Sequence, residues 1–280
     1  MSAAVIGLLV GAALAHAAWN ILTKMTAGPA LAVSWLVSLV STLVVAPFAV
    51  VVILRGARLD GTVLLIAAIS GAIHLAYFLV LRAGYRHGDL SLVYPIARGA
   101  APLCAVAGAV VFLGERPSAL LLLGVATIAA GVALTARGHG SRRALLLALA
   151  TGALIAGYTV FDAAAVTRFA ITPILVEWLN DALRVAALAP LVLRDRGGLI
   201  EVARRSRWAL LGVGVFSPIA YILVLFALRL APVTVVAPLR EASILIGVAW
   251  GGLLLRERRL SGRLSGAALV FAGIVLIALS

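Results

Sequence analysis

Ten runs of roughly twenty mostly apolar residues follow one another through this chain, joined by short connections. They cover about residues 3–24, 31–54, 62–82, 90–113, 118–136, 144–167, 172–193, 208–229, 233–255 and 262–279. Inside hydrocarbon no water satisfies backbone N–H and C=O groups, so each run must close its own hydrogen bonds. For apolar runs of this length that means α-helices. The expected fold is all-α, a polytopic membrane protein of ten transmembrane helices with no separate soluble domain. A hydrophobic fraction of 64% and a mean hydropathy of +1.18 exclude an ordinary soluble domain. The first run imitates a secretory signal at Ala13-Leu14-Ala15. No basic residue precedes it and it continues through Trp19, so it is expected to persist as the first span.

The formal charge of +13 comes from 22 Arg and one Lys, most of them in the short connections. That placement suits anchoring at a lipid bilayer and not a nucleic-acid groove, so no nucleic-acid partner is expected. The one cysteine, Cys104, lies within a run and allows no intrachain disulfide.

The chain is duplicated. Ala76-Tyr77-Phe78-Leu79-Val80-Leu81 returns as Ala220-Tyr221-Ile222-Leu223-Val224-Leu225 at an offset of 144. Pro95 matches Pro238 at 143, and Glu115-Arg116 matches Glu257-Arg258 at 142. Gly124 and Gly131 match Gly266 and Gly273 at 142, Trp35 pairs with Trp178, and Asn20 with Asp162. Two five-span repeats, 1–136 and 144–280, are thus expected on either side of a basic linker, 137–143. Five is odd, so the second repeat enters the membrane from the opposite side, the inverted plan of many alternating-access carriers. Gly7 and Gly11, Gly124 and Gly131, Gly247 and Gly251, and Gly266 and Gly273 recur at spacings that let helices approach closely.

His16-Ala17-Ala18-Trp19-Asn20, Val93-Tyr94-Pro95-Ile96-Ala97-Arg98-Gly99, and the Gly114-Glu115-Arg116 and Arg256-Glu257-Arg258 turns carry a further signal. With them the chain resembles ten-span members of the drug/metabolite transporter (DMT) superfamily, of the EamA type, along essentially its whole length. The resemblance implies a secondary transporter of small metabolites or drugs, often by efflux, with a central cavity between the two halves. It also implies the plasma membrane of a prokaryote and both termini in the cytoplasm. Basic residues point the other way: 15 lie in alternate connections from Lys24 to Arg263, against five in the rest, which puts the termini outside.

Polar groups inside the runs are costly and mark candidate pathways. His16 and Asn20 share one stripe of the first run with Lys24, with Trp19 beside it. His74 and Tyr77 lie on the third run, Tyr94 and Arg98 on the fourth, Tyr158 on the sixth, Tyr221 on the eighth and Arg240 on the ninth. These are the candidate substrate-binding residues, the arginine forks being suited to a carboxylate or phosphate. Interhelical hydrogen bonds and permanent ion pairs are the structural alternative. Arg240 and Glu241 are adjacent and point about 100° apart on a helix, so one can pair across while the other faces a cavity. Glu241 is the first candidate to carry a coupling proton, with Asp181, Glu177 and Asp162 in reserve. Asp162 is set back because it lies near a helix end, Asp181 because Arg184 stands one turn away. Pro95 and Pro238 are candidate hinges. There is no metal-ligand spacing, nucleotide loop or nucleophile pattern, so no catalytic residue, metal or cofactor is assigned, and transport would run on gradients. An intramembrane enzyme acting through these polar residues is the alternative function.

Overall fold

The computed structural model describes residues 2–134, 136, 139–243 and 261–280. Gly247, Gly251, Arg256, Glu257, Arg258, the rest of the ninth run and the linker residues Arg137 and Gly138 lie outside them. The described chain forms α1 (Ala3–Lys24), α2 (Ala30–Leu54), α3 (Gly61–His87), α4 (Leu90–Gly108) and α5 (Ala119–Leu134). The second half forms α6 (Arg142–Thr167), α7 (Pro173–Val192), α8 (Arg196–Arg205), α9 (Arg207–Leu230), α10 (Val233–Leu239) and α11 (Ser261–Ala278). Among the described residues only one isolated bridge, Gly88 with Gly140, is extended pairing.

Among the described residues six helices are long and apolar enough to cross a membrane, and two shorter apolar ones, Ala119–Leu134 and Ser265–Ala278, accompany them. Bulky apolar side chains such as Leu54, Phe112 and Leu123 point outward, as in a molecule whose outer solvent is lipid. α4 continues through a π-helical turn (Ala109–Leu113) that ends on Gly114, whose φ of 75° suits glycine.

Helices at equivalent positions of the duplication pack on one another. α2 lies against α7, α5 against α11, α4 against α10, and the α1–α9 pairing is mirrored by α6–α3. At the α5–α11 crossing the backbones touch. A Cβ on Gly131 would come within 2.7 Å of the Gly266 carbonyl, and one on Gly124 within 2.9 Å of the Gly273 carbonyl. No hydrophobic force favours helix over lipid here, so contact at this range supplies the attraction. Gly7 differs from the expectation: it is exposed, and nothing lies within 4 Å of where its Cβ would be.

Two further features depart from the sequence reading. α3 runs on to His87, five residues past its expected end, because Arg82, Arg86 and His87 are tolerated at a wet helix terminus. The basic stretch from Arg194 to Arg207, read as a plain connection, contains α8. Asp195 accepts from the Gly198 N–H at 2.9 Å to start it. Val202 then buries itself among Trp35, Leu188 and Leu210. Gly28, at φ 129°, leaves room beneath it, since a Cβ there would meet Val202 Cγ2 at 2.4 Å.

The close backbone crossing yields a graded expectation. Gly131→Ala should destabilise the protein by about 1–3 kcal/mol, whereas Gly7→Ala should change nothing measurable. Thermal unfolding of the two variants in one detergent compares them.

Candidate functional site

The helices enclose a chamber of about 200 Å³ between the repeats. α1 contributes His16 and Trp19 to its wall, and α3 contributes His74 and Tyr77. Tyr94 and Arg98 enter from α4, Tyr158 from α6 and Tyr221 from α9. Arg240, at the end of α10, and Glu177, on α7, also face it, with Arg184, Ser34, Thr151 and Ser217 among the other polar residues of the wall. Asn20 is the candidate that stands apart: its amide donates to the His16 carbonyl at 2.8 Å, one turn back on its own helix. Lys24 is exposed at the end of α1.

The two adjacent charges of the ninth run part company. Glu241 turns to Arg98, whose Nη2 lies 3.0 Å from its Oε2, with the side chains only 8% and 4% exposed. Arg240 turns to the chamber, donating to Thr159 Oγ1 at 3.2 Å and lying over the Tyr221 ring at 5.7 Å. Among the described residues no carboxylate pairs with it. The helix changes character here: α10 stops after Pro238 and a 3-10 turn, Arg240–Ala242, follows. α4, by contrast, continues unbroken through Pro95 and Pro102.

On α7, Asp181 is occupied. It accepts from Arg184 Nη1 at 2.8 Å and from the Ser41 hydroxyl, while the same Arg184 nitrogen donates to Ser38 Oγ at 3.1 Å. Glu177, four residues earlier, has no hydrogen bond or ion pair among the described residues and faces the chamber. Asp162 lies five residues before the end of α6, as its position suggested, yet it is not wet. α6 extends to Thr167, and Asp162, with 0% exposure, is turned inward between α3 and α9. It accepts from Ser70 and from the Tyr221 hydroxyl at 2.5 Å. His74 stacks on Tyr158 with ring centroids 4.0 Å apart, and Tyr158 meets Tyr77 and Tyr221 edge-on. His16 accepts at Nδ1 from Trp19 Nε1, so its ring proton is on Nε2, which is buried without a partner.

Sequence reasoning passed over several of these partners. Ser70 sits one turn before His74, and Ser38 and Ser41 lie on the face that meets α7. Glu115, noted only as part of a turn, accepts the N–H groups of Val233 and Thr234 at 2.7 and 2.8 Å and so caps α10. One signal for the central pair was available. Glu241 follows Arg98 by 143 residues, the offset that relates Pro238 to Pro95. The ion pair therefore joins the two equivalent positions of the duplication.

Apolar helices packed as two interlocking repeats, with a polar chamber at their meeting, define an integral membrane protein of the duplicated transporter class. The EamA-like transporter family model matches twice, over residues 3–137 and 142–279, and the chain belongs to that family. No curated protein matches it. A solved structure described only as the crystal structure of a protein is similar in fold, with a TM-score of 0.80 at 18% identity, covering 100% of this chain and 98% of that one.

The central pair supplies a prediction. Glu241→Gln leaves Arg98 buried beside a neutral group and should cost about 3 kcal/mol of stability. Because the two positions are equivalent, the exchange Arg98→Glu with Glu241→Arg should recover most of that loss. Thermal unfolding of the single, reciprocal and double variants measures the recovery.

Proposed function

We propose that the protein is a ten-span secondary transporter, built as inverted repeats 1–136 and 144–280, that moves a small metabolite or drug-like solute across the plasma membrane of a prokaryote. The observation that carries this reading is Arg240. It is a chamber-facing guanidinium with no carboxylate partner among the described residues, at the meeting of both repeats. A carboxylate or phosphate on the solute would complete it through a charge-assisted pair. Glu177 would meet an amine on the same solute, and the Tyr77–Tyr158–Tyr221 wall would cover its apolar part. Outward movement is the direction this reading takes, in keeping with the efflux common to the superfamily that the sequence resembles.

Reconstituted protein tests it by counterflow against a panel of labelled amino acids, organic acids, nucleosides and cationic dyes. At least one anionic or zwitterionic member should exchange faster than in empty liposomes. Arg240→Gln should weaken its half-saturation by about tenfold or more, equivalent to 1.4 kcal/mol. A panel in which only cationic dyes move, unaffected by Arg240→Gln, would count against the assignment.

Pro95 and Pro238 have separate roles in this reading as hinges of α4 and α10. Proline lacks the N–H that would stiffen each helix at the chamber. Alanine at either position should slow exchange about tenfold while leaving half-saturation within about twofold, the pattern of a slowed conformational step. Rate and half-saturation from the same vesicles separate the two effects.

Transport against a gradient needs a coupling ion, for which a proton on one of the four interior carboxylates is the choice here. Two of the four are already engaged, Glu241 with Arg98 and Asp181 with Arg184. Glu177 and Asp162 are the two without an arginine of their own among the described residues.

A further inference from the structure

We propose that His74 and Asp162 together form a proton-binding site in the chamber wall, taking up one proton between them.

The hydrogen-bond directions around the two residues carry this. His74 Nδ1 lies 3.0 Å from the Ser70 carbonyl, which can only accept, so Nδ1 holds the ring proton. Nε2 then points toward Asp162 Oδ2 at 3.8 Å. In the neutral ring Nε2 is a lone pair, and it faces a carboxylate oxygen. Two acceptors opposed in this way stand beyond hydrogen-bond distance, which for such pairs is about 2.7–3.2 Å. One added proton converts the opposition into a donor–acceptor contact.

The carboxylate is held as an acceptor from its other sides. Asn180 Nδ2 donates to Ser70 Oγ at 3.0 Å, which leaves the Ser70 hydroxyl proton for Asp162 Oδ1. Tyr221 donates to Oδ2. These donors fix Asp162 without neutralising it. The charged and titratable groups facing the pair are few. Arg240 stands beyond Tyr221 and bonds Thr159, and Arg184 on α7 bonds Asp181. Glu177 lies on the same face of α7, and Tyr158 and Tyr77 stand on the chamber side. Arg98 on α4 is held by Glu241. No cation is bonded to Asp162 among the described residues.

Access follows from burial. Asp162 is sealed, whereas His74 borders the chamber. The proton leaves chamber water, binds at Nε2 and is shared with Oδ2. No other bond forms or breaks, and the wall gains one positive charge. Its use in transport rests on the carrier reading above; its existence does not.

Histidine-labelled full-length protein in lipid nanodiscs, without any solute, tests the site by 15N magnetic resonance. The four histidines give separable signals, and His74→Gln assigns the relevant one. Between about pH 8 and pH 5, Nε2 of His74 should pass from a lone-pair shift to a protonated or strongly hydrogen-bonded one. In Asp162→Asn that change should be lost, with the signals of His16, His87 and His139 reporting an intact fold. Asp162→Ser provides a second removal of the carboxylate should the first variant fold poorly. A His74 signal unchanged in the wild type, or titrating identically without the carboxylate, overturns the proposal. A protein that binds this proton but exchanges no solute in vesicles would instead lose the carrier reading and keep the site.

Discussion

The ion pair between Arg98 and Glu241 is the interaction around which the interior is arranged. Either charge alone in this setting would cost several kcal/mol. Each therefore fixes the place of the other, and with it the approach of α4 to the turn after α10. The two residues stand at equivalent positions of the duplication, so the contact joins the repeats where they meet. A second contact between equivalent helices is the α5–α11 crossing, where glycines bring backbone against backbone. One contact is electrostatic and the other steric, and together they define how the halves dock.

With that pair closed, the remaining charges sort themselves by what they have left over. Arg184 and Asp181 satisfy each other with help from two serines of α2. Arg240 and Glu177 keep open valence toward the chamber, one cationic and one anionic. Among the described residues Asp162 accepts only from hydroxyl donors. In the carrier reading, the rings and these two unpaired charges would favour solutes by charge arrangement more than by size, since the tyrosines offer adaptable apolar faces.

Much of this was legible in the sequence. Runs of apolar residues gave the helical elements because hydrocarbon leaves the backbone no alternative. The offset near 143 revealed the repeats, and buried charge drew attention to Arg98, Arg240 and Glu241. What escaped was partner identity. Asp162 looked marginal because distance along the chain from a helix end was read as distance from water, whereas α3 and α9 cover it from outside its own helix. α8 escaped because its short apolar side is provided by Leu199 and Val202 alone, too few for periodicity to register. Gly7 shows the converse: a small residue at the right spacing packs closely only if a neighbour is present.

Glu115 belongs to the first repeat, yet both its oxygens grip the leading amides of α10 in the second. That makes the turn after the fourth span a handle on a seven-residue lever, whose far end carries Arg240 and Glu241. A lever this short has little length over which to flex. A displacement of the turn would therefore reach the guanidinium in the chamber with only Pro238 between grip and charge to absorb it, which ties the solvent edge of one half to the centre of both.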